Sequence, residues 1–329
     1  MKKMFILFCL CIVSLYGDEV DFDCVVVGTS PTSMFEAIYQ TALGNRVLIV
    51  ERAHECGGAW KSIEICGIKN ADMGCHEFGN APAVKKFFEE YAGCKLEQNG
   101  PLDKKGRSTL GFYPSHGCYE LIHNLQLLMD KLGTKLMLNS PLESVYLDTN
   151  RKIAELKING MRYRTAKLII TNGAEINFEN PQLANAMHHP NKIKYPHVYL
   201  LVSDPTAPRF SYTNLTTNGA SRAMNLTHYV GLEDSGKQLI AIQVHSEQMF
   251  DSGEPFLAAL KNLDLIDKSA EIIRMDHYVY EQIHCSSPQH LQQAGSLIEF
   301  LTTGHISQIS SYIPRWKQAM KPWHEVMGD

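Results

Sequence analysis

Gly28, the run Thr29-Ser30-Pro31-Thr32-Ser33, Glu51 and the pair Gly57-Gly58 are the residues whose types and spacing could do chemistry together. A glycine permits a tight turn, small residues open a helix, and a carboxylate follows a second strand. Such a set suits a dinucleotide, with backbone N–H groups and a helix N-terminus meeting the diphosphate while the carboxylate accepts from a ribose hydroxyl. The pattern departs from G-x-G-x-x-G, because only its first glycine is kept. Ser30 adds a side chain where the backbone would approach a phosphate, and Ser33 adds one where helix meets strand. Serine is small, and its hydroxyl can itself donate to a phosphate oxygen. The alternative on the turn alone is a βαβ unit with no nucleotide. Gly57-Gly58 after Glu51 favours the dinucleotide.

These residues need a strand, a turn, a helix and a second strand to hold them. Residues 24–28 are an apolar run ending in glycine, and 29–33 read as a turn. The spacing predicts a helix over 34–43, stopped by Gly44-Asn45, then a strand over 46–50 with Glu51 directly after it.

In that setting three stretches carry a family resemblance: Asp23 to Gly28 with Glu51, then Gly57-Gly58-Ala59-Trp60-Lys61-Ser62, then Asp72-Met73-Gly74-Cys75-His76-Glu77-Phe78. They resemble the FAD-dependent amine oxidase and phytoene desaturase superfamily. They are also similar to the Rab GDP-dissociation inhibitor and escort proteins, which share that fold without being oxidases. The resemblance runs over residues 21–78 and more faintly to 170. It implies FAD as cofactor, with the counterpart of Glu51 on the adenosine ribose, the Gly-Gly segment along the cofactor and the D-x-G-x-H-x-F stretch near the flavin. The cofactor-binding residues so implied are Gly28, Ser30, Pro31, Ser33, Glu51, Arg52, Gly57, Gly58, Ala59, Trp60, Gly74, His76, Val145, Thr303 and Gly304. His76 is the one titratable side chain tied to a family motif, and it stands as the candidate for proton transfer against a structural, hydrogen-bonded histidine. No other catalytic residue is assigned.

The rest of the first half is consistent with such a plan. Asn80-Ala81-Pro82 opens a helix to Tyr91, and residues 112–117 form a loop leading into a second helix over 119–132. Strands are expected over 135–138 and 142–147, a hairpin over 153–158 and 161–165 around Asn159-Gly160, and a buried strand over 167–171. A β-meander where a plain dinucleotide fold would use a helix argues against a simple NAD dehydrogenase. From about residue 177 the chain is punctuated by Pro181, Pro190, Pro196, Pro205 and Pro208, with strand-like runs at 197–202, 239–245 and 272–283 and one helix over 255–263. At the end, Thr302 and Thr303 could cap a short helix over 306–312, before Pro314. His305 stands where the superfamily carries an aspartate.

The fold class expected is α/β: a Rossmann-like FAD-binding domain with a β-meander crossover, plus a second antiparallel-sheet α+β substrate domain. The divisions are 1–17, 18–176, 177–292 and a segment 293–329 returning to the first domain. A formal net charge of −4 gives no electrostatic case for nucleic acid. Lys2-Lys3, the apolar stretch 4–13 and Ser14 to Gly17 read as a secretory leader, which implies a secreted or periplasmic protein with no stable membrane span once the leader is removed. An uncleaved N-terminal anchor is the alternative. The cysteines beyond the leader, an odd number with no C-x-x-C, fit buried free thiols, with one or two bridges among Cys56, Cys66, Cys75 and Cys94 as the other possibility. The histidines share no ligand spacing, so no metal is assigned. Asn214 and Asn225 head glycosylation sequons.

The leading function is an exported, amine oxidase-like FAD-dependent oxidoreductase that oxidises a small organic substrate by hydride transfer. The first alternative is a catalytically degenerate binding or chaperone-like protein of the same fold, and the second a nicotinamide-dependent dehydrogenase.

Overall fold

The computed structural model describes residues 20–74, 81–99, 111–171, 176–184, 191–208, 210–215, 219–284, 297–301 and 306–328. Strand β1 (Phe22–Val27) runs into Gly28, α1 (Pro31–Ala42) crosses over, and β2 (Val47–Val50) returns parallel to β1, with Val26 opposite Ile49. All of β2 is buried, as a parallel strand covered on both faces must be. The helix starts three residues earlier than its apolar spacing predicts. Pro31 is preset to helical φ in the first turn, and the Ser30 hydroxyl caps the helix by accepting the Ser33 N–H at 3.3 Å.

A hairpin of β3 (Ser62–Ile65) and β4 (Ile68–Asp72) follows, then α2 (Pro82–Tyr91) and a second hairpin of β5 (Leu96–Asn99) and β6 (Gly111–Pro114). These strands are too short for their alternation to show in the sequence, and β6 occupies part of the expected loop over 112–117. Helix α3 (Gly117–Leu132) ends on Gly133, and β7 (Lys135–Met137) pairs beside β2. The meander is β8 (Leu142–Asp148), β9 (Ile153–Ile158) and β10 (Met161–Thr171). Asn159 and Gly160, with φ of 49° and 74°, make the left-handed turn of its second hairpin.

The strands expected at 161–165 and 167–171 form one element, β10. Its first half pairs antiparallel with β9, and its second half pairs parallel with β1 and with β16 (Ile298–Leu301). The break suggested by the sequence is where the Thr165 hydroxyl bonds the backbone of Lys167. The seven-stranded sheet runs β7-β2-β1-β10-β9-β8, with β16 against β10.

After the short helix α4 (Pro181–Ala184) come β11 (Asn191–Ser203), β12 (Tyr212–Asn214), β13 (Ala220–Asn225), β14 (Lys237–Val244), α5 (Glu254–Asn262) and β15 (Glu271–His284). They make an antiparallel five-stranded sheet in the order β12-β13-β14-β11-β15. Alternate residues of β11 serve two faces: Val198, Leu200 and Val202 pack in the core with α5, whereas Tyr199 and Leu201 meet Ile65, Cys66 and Ala71 of the β3–β4 hairpin. Pro196 lies inside β11, not between elements. Its missing N–H is tolerated there because pairing with β14 begins only at His197.

Helices α6 (Ile306–Trp316) and α7 (Trp323–Met327) close the described chain. Helix α6 runs through Pro314 instead of stopping before it. Its last turn is held from outside, because Arg315 and the Trp316 indole N–H bond the carboxylate of Glu36 on α1. Trp316 is fully buried and stacks on Phe35 and Phe87 at centroid distances of 5.3 and 5.5 Å. Cys24, Cys56, Cys66, Cys94 and Cys118 are buried free thiols; Cys75 lies outside the described residues. Burial pushes the Cys56 and Cys66 thiols up to about 11, so neither is a ready nucleophile. The sequon residue Asn225 is 3% exposed and donates to Gln238 Oε1 at 2.7 Å, which makes it a core amide. Among the described residues no helix is long and apolar enough to cross a membrane.

Candidate functional site

The first cluster lies at the carboxyl ends of β1 and β2, where parallel α/β sheets open a crevice for ligands. Gly28 sits there with φ of 93°, and a β-carbon on it would come within 2.4 Å of Thr171 Oγ1. Glu51 is 8% exposed and wired to the same turn. Its Oε2 accepts the Thr29 N–H at 3.1 Å and the Thr29 hydroxyl at 2.7 Å, while Oε1 accepts the Ala53 N–H at 2.9 Å. Thr29 also holds the glycine pair, since the Gly57 N–H reaches its carbonyl at 3.1 Å and its hydroxyl oxygen at 3.2 Å. Thr29 is therefore a site residue that motif reasoning passed over. It occupies a variable position of the fingerprint, and its only signal in the sequence is that it carries a hydroxyl.

The two serines pair with each other, Oγ to Oγ, at 2.7 Å. They lie across the first turn of α1, where an anion would sit. Pro31 contributes no N–H, and the Ser33 N–H is capped by Ser30. The donors this turn can offer a diphosphate are then the backbone N–H groups of Ser30 and Thr32 and the one hydroxyl proton that the serine pair leaves over. Gly57 is buried and Gly58 exposed. A β-carbon on Gly58, where φ is 57°, would lie 4.0 Å from the Ser30 nitrogen, so the Gly-Gly segment passes directly over the helix start. Ala59 and Trp60 are half-buried beside it, and Arg52 is exposed.

These residues fit the adenosine diphosphate end of FAD. Gly58 puts no side chain over the helix start, while the space beside Gly28 is taken by Thr171. Three of the roughly four acceptor positions of a carboxylate are filled on Glu51, which leaves capacity for one ribose hydroxyl. Val145 is placed differently: its side chain is in the core, and its backbone N–H and C=O bond Asn177 O and the Glu179 N–H at 2.8 Å each. His76, Thr303 and Gly304 lie outside the described residues.

A second cluster surrounds the end of β4. Asp72 is 1% exposed and accepts from the Ser62 hydroxyl at 2.6 Å, the Tyr113 hydroxyl at 2.6 Å and the Cys118 N–H at 3.0 Å. The last bond caps α3, whose own capping residue His116 makes no side-chain bond. Desolvation holds the Asp72 carboxyl above its ordinary range, against the lowering effect of these donors, and burial likewise raises the Tyr113 hydroxyl and the Cys118 thiol. Tyr113 is thus a fully buried anchor that packs on Tyr229 at 4.7 Å.

Two residues on, Gly74 (φ 90°) donates its N–H to the Tyr199 hydroxyl at 2.7 Å, and that hydroxyl donates to the Asp72 carbonyl at 3.2 Å. A β-carbon on Gly74 would lie 3.1 Å from His197 Nε2. The His197 ring stacks on Tyr280 at 5.6 Å, and Tyr280 on Tyr195 at 5.0 Å. The segment that the resemblance places by the flavin therefore meets an aromatic face of the second sheet. Sequence reasoning found Gly74 but not Tyr199, His197 or Tyr280, which lie far away along the chain.

No family profile matches the chain, and no curated protein matches it by sequence. Solved structures do match. An oxidoreductase from Methanosarcina mazei is 13% identical over 86% of this chain and 94% of its own, with a TM-score of 0.62. Putrescine oxidase bound to putrescine is 11% identical over 90% and 98%, with a TM-score of 0.61. An Exiguobacterium protein assigned as a protoporphyrinogen oxidase is 10% identical over 90% and 98%, with a TM-score of 0.54. The chain shares the fold of these oxidase structures, an α/β dinucleotide-type sheet joined to a second antiparallel sheet.

Proposed function

We propose that this protein binds FAD across the Gly28 turn and oxidises a small organic substrate by hydride transfer, acting outside the cytoplasm after a leader over residues 1–17 directs its export. The observation that carries the reading is Glu51, a nearly buried carboxylate fixed to the turn after β1 with acceptor capacity left over and the Gly57-Gly58 segment beside it. In this reading Glu51 holds a ribose hydroxyl, and the Ser30 and Thr32 N–H groups with the one hydroxyl proton left over from the serine pair hold the diphosphate at the positive end of α1. FAD, when bound, supplies the electron sink. The protein's part is to place the substrate beside the junction of the Gly74 segment with the second sheet and to keep water from it.

The test is an absorbance spectrum of the protein as isolated and after refolding with excess FAD. A flavin band, and release of FAD on denaturation, are expected; a colourless protein under both conditions overturns the reading. Glu51→Ala should weaken FAD binding by about 1.5–3 kcal/mol, the value of a hydrogen bond to a charged group, with the fold retained. Titration showing unchanged affinity would remove Glu51 from the site.

A binding or chaperone-like module of the same fold is favoured by one observation, the Ser30–Ser33 hydroxyl pair lying where the diphosphate would approach. Anaerobic addition of candidate amines separates the two readings: bleaching of bound flavin excludes the module.

A further inference from the structure

We propose that Thr29 decides which adenine nucleotides this site takes: by filling one oxygen of Glu51 it leaves the carboxylate a single ribose hydroxyl to read, so nucleotides that lack the other hydroxyl are accepted. This specificity rests on the Gly28 turn holding a nucleotide, as read above, and does not depend on the flavin half.

A ribose presents two neighbouring hydroxyls, and a carboxylate with both oxygens open can receive one on each. Glu51 is not open on both. Its Oε2 takes two donors from one residue, the Thr29 N–H at 3.1 Å and the Thr29 hydroxyl at 2.7 Å. These use the two lone-pair positions of that oxygen. Oε1 takes the Ala53 N–H at 2.9 Å and keeps one position. A ligand therefore meets one acceptor, on Oε1, where an unencumbered carboxylate offers an acceptor on each oxygen.

Thr29 does not give back what it takes. It is 1% exposed, and its one hydroxyl proton is spent on Glu51. Its oxygen accepts the Gly57 N–H at 3.2 Å, and the Cys56 thiol is within bonding reach of the same side chain. The second ribose hydroxyl accordingly finds no partner on either residue. Glu51 cannot turn to supply one, because Thr29 holds one of its oxygens and Ala53 the other. Loss of the hydroxyl that is read strands a nearly buried charged acceptor, which is costly, whereas loss of the other strands nothing. Valine at position 29 would keep the N–H bond to Oε2 and open the place of the hydroxyl, so that both ribose hydroxyls are read.

The experiment is calorimetric titration of the flavin-free full chain with FAD, ADP, 2′-deoxy-ADP and 3′-deoxy-ADP. One deoxy analogue is expected to bind about tenfold weaker than ADP or worse, and the other within about twofold of it. Thr29→Val should weaken ADP itself, since Gly57 loses its hold, and the analogue that was tolerated should now fall about fivefold or more behind ADP. Thr29→Ser, which keeps the hydroxyl, should keep the original pattern. The ratio of analogue to ADP is the deciding quantity, because general damage to the site weakens all three ligands alike. Two analogues that both fall tenfold on the unaltered protein overturn the proposal, as does a folded Thr29→Val protein with an unchanged ratio. The unaltered protein decides the matter even if the variant does not fold. Binding of FAD with both hydroxyls required sinks this proposal alone. The one-hydroxyl pattern in a chain that takes ADP but never flavin retires the FAD reading and supports this one, and a chain that binds neither ADP nor FAD ends both.

Discussion

At the scale of single residues, the turn after β1 is set by a contact that no fingerprint contains. Thr171, at the end of β10, donates its hydroxyl to the Val27 carbonyl at 2.8 Å and fills the space beside Gly28. Alanine at position 28 would meet that oxygen while being held at a φ that side chains avoid. Gly28→Ala is expected to cost about 1–3 kcal/mol from the backbone alone, with a further loss as Thr171 is displaced. A urea unfolding midpoint equal to that of the unaltered protein would show that the turn relaxes freely. The glycine was identifiable from the sequence as the end of an apolar run. Its partner, 143 residues away, was not, because a threonine closing a strand carries no local signal.

At the scale of elements, Asp72 joins β4, β6 and α3 and caps a helix that lacks a cap of its own. Its carboxyl sits above the ordinary carboxylate range because burial penalises the charge. A group whose pKa is raised on folding stabilises fully below its unfolded value, near 3.8, and that contribution is lost as pH rises toward the folded value. Asp72→Asn, which keeps the shape and cannot ionise, should accordingly gain on the unaltered protein as pH rises from about 4. Parallel pH profiles of unfolding free energy for the two proteins would contradict this. The helices were legible from their apolar spacing and stop residues, with ends moved by Pro31 and Gly117. The β3–β4 and β5–β6 hairpins were not, since strands of four or five residues hold too little alternation to read.

At the scale of the whole molecule, the segment after β16 is fastened to α1 by charge. Glu36 is fully buried and accepts from Arg315, from the Trp316 indole at 2.8 Å and from Gln40 at 2.8 Å. Arg315 also reaches Glu299 at 2.8 Å, and Glu299 pairs with Lys167 at 2.7 Å. The Arg315 side chain is 32% exposed, so Arg315→Met should cost somewhat less than the roughly 3–5 kcal/mol of stranding a charge in a wholly buried pair. Glu36→Gln combined with Arg315→Met should recover most of that loss. Chemical denaturation of the three variants measures it, and a double variant no more stable than the single one would show that packing, not charge, fastens the segment.

What the sequence determined by itself was the βαβ start, the acidic residue after β2, the Asn159-Gly160 hairpin and the two-sheet plan, because each is written in neighbouring residues. Tertiary structure decided that Thr29 fills most of Glu51, that Ser30 and Ser33 satisfy each other, and that Gly74 faces His197 and Tyr280. It also set Arg222, Gln243, His197 and Tyr278 side by side on four strands, where they are neighbours only through register. Local periodicity fixes which face a side chain takes, while the identity of its partner depends on the packing of segments that no short window of sequence compares.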